Sequence, residues 1–196
     1  MTEAVSLPPP LRHAGPDDAG AMARLNDMAG DGLPLHGWTL QCAAGEDPWK
    51  IGCLRQLRRF DDAETMVVAD LGDGPIALLN GWALGAEPVD PESAPPIWRP
   101  LIELDNLAPD SWYINIVAVE PDHRGRGLGR RLMHLAEDLA RAEGLARMSL
   151  VVADANTDAR RLYGHLGYRE AARRPIVRDG WSGGGQDWLL FLKSLS

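Results

Sequence analysis

Paired cysteines, long apolar runs and a surplus of positive charge are what this chain lacks. Its two cysteines, Cys42 and Cys53, show no CxxC spacing, so neither a disulfide framework nor a thiolate metal or redox site is indicated. Both are expected as reduced, partly buried thiols. His13, His36, His123, His134 and His165 form neither HxxxH nor HxH, and no metal site is expected. No apolar run is long enough to cross a bilayer, which excludes a membrane partner. Residues 1–10 hold an acid and a proline run where a secretory signal needs a basic end and an apolar stretch. They read as a flexible leader, and the location expected is cytoplasmic. With 28 acidic against 20 basic residues the formal charge is −8, which argues against sequence-independent capture of nucleic acid.

What is there suits one domain over residues 1–196, with 45% hydrophobic and 24% charged residues to build a core and a surface. Leu11–His13 reads as an edge strand. Asp17 is placed to cap a helix through Ala21, Met22, Leu25 and Met28 that ends near Gly30. The stretch 32–59 is broken by Pro34, Gly37, Gly45 and Pro48, and short helices are expected there with Trp38 and Trp49 packed inward. Residues 65–70 and 76–84 flank a Gly-Asp-Gly turn as a hairpin. The proline-rich connection 85–110 allows a turn or two of helix around 97–104. A strand at 112–119 follows, then a helix with the stripe Leu128, Leu132, Leu135, Ala136 and Leu139, stopped by Gly144. A strand at 148–153, a helix at 156–166 and strands at 168–177 and 187–192 complete an α/β order: a mixed sheet of about six to seven strands flanked by helices.

The segment after Val119, Pro121-Asp-His-Arg-Gly-Arg-Gly-Leu-Gly-Arg-Arg131, is the most informative. It carries +3 inside a chain of −8, leaving −11 for all other residues. A strand that ends in a glycine-rich turn and opens into a helix aims unpaired N–H groups and the positive helix end at one point, which suits a phosphate. Gly125, Gly127 and Gly129 admit close approach of a ligand, and Arg124, Arg126 and Arg130 add charge-assisted donors. The Gly-Lys-Ser/Thr ending of a nucleotide triphosphate loop is missing. The third glycine sits one place early for a dinucleotide fingerprint, and the nearest acid at the end of the next strand, Asp154, lies too far along. A coenzyme A pyrophosphate fits better.

Val117-Ala-Val119 followed by Arg124-x-x-Gly127-x-Gly129 resembles the signature of the GNAT superfamily of acetyl-coenzyme A dependent N-acetyltransferases. Downstream, Asn156-x-x-Ala159-x-x-x-Tyr163 and Leu166-Gly167-Tyr168 resemble that family's second coenzyme-side motif. The resemblance implies a mostly antiparallel, twisted sheet with a splayed coenzyme-binding strand pair. It implies acetyl-CoA as cosubstrate, held by Val117, Ala118, Val119, Arg124, Gly125, Arg126, Gly127, Leu128, Gly129, Arg130 and Asn156. It points the hydroxyl of Tyr163 at the thioester sulfur, and the backbone of Val117 and Val119 at the pantetheine amides.

The residues allow blander roles too. Asn156 is a favoured helix N-cap, and Tyr163 lies on a helical stripe with Ala159, Leu162 and Leu166. Chemistry favours Tyr163 as the acid, because attack of an amine on the thioester expels a thiolate that a phenol can hydrogen-bond or protonate. Glu103, Asp105 and Glu120 are candidates for the base that takes a proton from the incoming ammonium, with Glu103 and Asp105 preferred, and Asn115 is placed to position a water instead. Trp38, Trp49, Trp82 and Trp98 are candidates to line an acceptor pocket. The expected activity is transfer of acetyl directly to a primary amine of a small molecule or peptide. A non-catalytic acyl-CoA-binding or regulatory module is the rival, and a nicotinamide-dependent oxidoreductase a weaker one. The segments 61–73 and 87–110 each carry a net −5, which suits a cationic acceptor. A homodimer is compatible with everything above.

Overall fold

A computed structural model describes residues 5–62 and 64–195; residues 1–4 of the expected leader lie outside them. The strands are β1 (Leu11–His13), β2 (Thr65–Asp70), β3 (Pro75–Ala83), β4 (Trp112–Val119), β5 (Arg147–Ala153), β6 (Arg169–Pro175) and β7 (Asp187–Ser194). The helices are α1 (Ala19–Ala29), α2 (Leu33–Thr39), α3 (Pro48–Asp61), α4 (Arg99–Asp105), α5 (Leu128–Ala142) and α6 (Thr157–His165). One seven-stranded sheet has the order β1-β2-β3-β4-β5-β7-β6. The β1–β2, β2–β3, β5–β7 and β6–β7 pairs are antiparallel, and β4–β5 is parallel. No helix among the described residues is long and apolar enough to cross a membrane.

The backbone divides into two compact units, one of Val5–Gly81 with Ile116–Leu135, the other chiefly of Trp82–Asn115 with residues from Ala136 onward. In the first, Met22 and Leu25 of α1 meet Met66, Val68 and Leu78 of the hairpin and Ile116 and Ala118 of β4. The two-residue period of a strand turns Ile116 and Ala118 inward and leaves Val117 and Val119 on the opposite face. Asp18, not Asp17, occupies the N-cap of α1, and it makes no capping bond. Its carboxylate is spent on the Gly15 N–H and on both terminal nitrogens of Arg12, whose guanidinium also reaches Asp70 of β2 at 2.6 Å. That shared cation holds Asp18 and Asp70 below the usual carboxylate range. Ahead of β1, the carbonyls of Pro8 and Pro9 accept from Arg131.

The stretch from residue 32 holds one short helix, α2, and one of 14 residues, α3, that runs on to Asp61. Pro48 does not break α3 but opens it, because the first turn needs no amide donor, and Asp47 caps it through the Trp49 N–H at 3.0 Å. Trp38 is buried against Gly52, where an added Cβ would fall 2.6 Å from the indole, and its ring meets that of Trp49 at 5.8 Å. Trp49 itself is only half-buried.

In the second unit β5 pairs with β7 from Arg147↔Ser194 to Ala153↔Trp188, and β6 covers the outer edge of β7. Trp112 of β4 is fully buried and donates its indole N–H to Glu143. Glu137, almost inaccessible, is neutralised by Lys193 at 2.6 Å, and that ammonium lies over the Tyr168 ring. The loop between β6 and β7 is closed by Trp181 stacked on Trp188 at 5.8 Å. The parallel register of β4 with β5 runs from Trp112↔Met148 to Ile114↔Leu150, and β4 continues beyond it to Val119.

Candidate active site

The first set of site residues follows β4. Strand geometry ends at Val119, a single 3-10 turn spans Pro121–His123, and α5 begins at Leu128. Between them Gly125 and Gly127 take φ of +75° and +81°, conformations that side-chain-bearing residues rarely adopt. A Cβ built on either glycine would have nothing within 4 Å, so the space in front of the turn is open. The first intrahelical bond of α5 runs from the Arg131 N–H to the Gly127 carbonyl at 3.0 Å, which puts the amides of Leu128, Gly129 and Arg130 ahead of the ladder. Arg124 braces the turn by donating Nε to the Val119 carbonyl at 2.9 Å, and Arg126 donates to the Asp122 carbonyl. Both remain exposed with further N–H groups, and Arg130 is exposed as well. Donors, positive helix end, three arginines and open space fit the pyrophosphate of a coenzyme.

The second set lies in the other unit. Asn156 is the N-cap of α6, its Oδ1 accepting the Ala159 N–H at 3.2 Å, so the capping role is real. Its side-chain NH2 has no hydrogen-bond partner among the described residues, which leaves it available to a ligand. About two turns later comes Tyr163, buried between the rings of Tyr168 at 6.1 Å and Phe191 at 6.3 Å. Burial pushes its phenol up to about 12. The hydroxyl therefore stays protonated throughout the neutral range, and it has no hydrogen-bond partner among the described residues. Tyr168 is fully buried and is pushed far above the ordinary phenol range by burial and then by the nearby Glu137 carboxylate.

The two candidate carboxylates on α4 part company. Glu103 is held by Arg174 of β6 at 2.5 Å, seventy-one positions away, and its charge is already answered. Asp105, two residues on, lines a cavity of about 240 Å³ with Trp82, Glu87, Val89, Ile102, Asn106 and their neighbours. Burial raises its carboxyl to about 7, against the opposing effect of a hydrogen bond from Tyr113. One of its oxygens, Oδ1, is buried with no partner. Trp82 meets Tyr113 edge-on at 5.2 Å, which fixes the wall beside the carboxyl. Of the four tryptophans named as pocket candidates, Trp82 lines this cavity, whereas Trp38 packs within the helices of the other unit. Glu87 and Asn106 carry no motif by which the sequence would reveal their place here, and Arg174 is too distant in sequence to be paired with Glu103 by inspection. Among the described residues no cluster of three His, Cys, Asp or Glu side chains is placed to hold a metal ion.

Sequence and fold comparisons converge. The acetyltransferase (GNAT) family matches residues 36–168, which include β4, the glycine turn and α6. A mycothiol acetyltransferase of Beutenbergia cavernae is 44% identical over 175 residues, covering 81% of this chain and 52% of that protein. The chain thus spans about half the length of this relative. Among solved structures, a ribosomal-protein-alanine N-acetyltransferase of Brucella melitensis superposes with a TM-score of 0.62 at 19% identity, covering 94% of this chain and 99% of the other. A phosphinothricin acetyltransferase of Sinorhizobium meliloti, solved in complex with acetyl-CoA, gives 0.62 at 17% identity, covering 95% of this chain and 88% of that one. These structures share the fold. The family match, over the segments where the cradle and the α6 motif lie, makes this chain a member of the acetyltransferase (GNAT) family.

Proposed function

We propose that the protein is an N-acetyltransferase that binds acetyl-CoA and transfers its acetyl group directly to a primary amine, acting as one domain over residues 1–196. The observation that carries the reading is the cradle at Gly125–Arg130: open glycines, helix amides ahead of the ladder and exposed arginines within one short segment, in a chain that is otherwise acidic. Arg124, Gly125, Arg126, Gly127, Leu128, Gly129 and Arg130 hold the pyrophosphate, and the backbone of Val117, Ala118 and Val119 meets the pantetheine arm as an added strand would. Asn156 contributes its free amide NH2. Acetyl-CoA supplies the activated acyl group.

The proton balance assigns the other roles. An ammonium gives up two protons on its way to an amide, while the thioester carbon exchanges its C–S bond for a C–N bond. Asp105 accepts the first proton, a task for which a carboxyl near 7 is well matched at neutral pH, and passes it to solvent. The second ends on the departing sulfur. A thiolate of pKa about 8.5 is a weaker base than the Tyr163 phenolate, so Tyr163 acts as a hydrogen-bond donor to the developing thiolate rather than as its net proton source. Glu103, paired with Arg174, is the lesser candidate for the base.

The test is thiol release from acetyl-CoA across a panel of primary amines, with the acetylated product identified by mass. Turnover with at least one amine, absent when acetyl-CoA is omitted, is expected. Binding of acetyl-CoA with no transfer to any member would replace this reading with a non-catalytic coenzyme-binding module.

A further inference from the structure

The end of β3 and the connection from it to β4 build a cavity out of residues that lie outside the two coenzyme-side motifs. Asn106, just past α4, pairs reciprocally with the backbone of Val89: its Oδ1 accepts the Val89 N–H at 2.9 Å and its Nδ2 donates to the Val89 carbonyl at 2.7 Å. One side chain thereby docks the Glu87–Val89 segment as a neighbouring strand would, and makes it a wall of the cavity. Trp82, Ile102 and Asp105 line the same cavity. The lining contains two carboxylates and no lysine or arginine. Asp105 has a buried oxygen with no partner, and a buried acceptor in that condition is costly until a donor arrives. An indole wall beside a carboxyl suits a cation. At about 240 Å³ the space is smaller than the ~300–1,000 Å³ typical of drug-sized ligands, so it suits a compact head group.

We infer that this pocket seats a compact primary alkylammonium, its N–H groups on Asp105 and its methylenes against Trp82 and Ile102, and that it selects acceptors by their head group. The assignment of that ammonium as the acceptor rests on the proposed activity. Glu87 at the wall adds a second negative charge, which favours cationic over neutral or anionic molecules.

Calorimetric titration of the whole chain with n-butylammonium, n-butanol and 4-aminobutyrate near neutral pH tests it. Saturable binding of n-butylammonium at one site per chain is expected, with the neutral alcohol and the carboxylate-bearing amine weaker. Asp105→Asn should weaken n-butylammonium at least about tenfold, the loss expected of one charge-assisted hydrogen bond, and Asn106→Leu should weaken it by releasing the Val89 wall. If Asp105→Asn fails to fold, Glu87→Gln, a change at an exposed residue, should still lower the affinity about two- to threefold, as for a lost nearby charge. No saturable binding by the wild type, or unchanged affinity in the folded variants, overturns the inference. The two readings fail separately. Binding lost in Asp105→Asn with no thiol release for any amine leaves the pocket standing and sinks the transferase. Thiol release with an amine KM that Asp105→Asn and Glu87→Gln leave unchanged does the reverse.

Discussion

Asp105 and Tyr163 show how burial sets a residue's chemistry. Asp105 in the folded chain holds its proton up to about 7, whereas an unfolded Asp releases it near 4. The folded state therefore binds the extra proton between those values, and the stability this contributes is fully present below pH 4 and lost as pH rises through 7. Asp105→Asn removes the titration. The Tm of the wild type relative to Asp105→Asn should fall as pH rises from about 4 to about 7 and level off above, each ~1 kcal/mol lost moving the Tm of a chain this size by about 2–4 °C. A parallel pair of melting curves would refute the elevated carboxyl. The same variant should lose the limb of kcat/KM that rises with pH through about 7. Tyr163→Phe keeps the ring between Tyr168 and Phe191 and deletes only the donor. Its kcat should drop about ten- to a hundredfold, with the dissociation constant of acetyl-CoA within about twofold of wild type; equal turnover would take Tyr163 out of the mechanism.

Elements were legible where one local pattern decides them. The strand Trp112–Val119 lies where its aromatic and β-branched run puts it, and the helix after it follows the Leu128–Leu132–Leu135–Ala136 stripe. The cradle was readable because its chemistry is contiguous: glycines, arginines and a helix start within ten residues. Three features departed from expectation, two of them because their partners are remote in sequence. Asp18 replaces Asp17 at the start of α1, its carboxylate taken by the Arg12 guanidinium, which Asp70 of β2 holds from 58 positions away. Pro48 opens a long helix because Asp47 caps it. Asp105 parts from Glu103 only through Arg174, Tyr113 and the Asn106–Val89 clasp, none of them local partners in a motif. At the same scale Asn156 has two separable jobs. Asn156→Ala should cost about 1 kcal/mol of stability through the lost cap. Asn156→Asp keeps the cap but deletes the NH2 donor, so it should melt near wild type and bind acetyl-CoA more weakly; unchanged binding would confine Asn156 to capping. Gly127→Ala, forced to φ near +81°, should weaken acetyl-CoA binding as well as cost about 1–2 kcal/mol.

For the whole molecule the charge layout is the governing fact. A net −8 with +3 concentrated at residues 122–131 means that a phosphate-bearing ligand is repelled almost everywhere except where the helix amides also wait for it. Affinity for acetyl-CoA should therefore depend on that one segment, and binding there should stabilise the fold by mass action. At a concentration about a hundredfold above its dissociation constant a ligand adds roughly 2.7 kcal/mol, which for a chain this size is a Tm rise of about 5–10 °C. NAD, also a pyrophosphate but without pantetheine, should give a markedly smaller rise at equal concentration, because the third glycine stands one place early for a dinucleotide loop. Replacing Arg124, Arg126 and Arg130 together by Gln should abolish the acetyl-CoA shift while leaving the melting temperature without ligand close to wild type, since all three side chains are exposed. An equal shift with NAD, or a shift that survives the triple replacement, would move the coenzyme site away from the cradle.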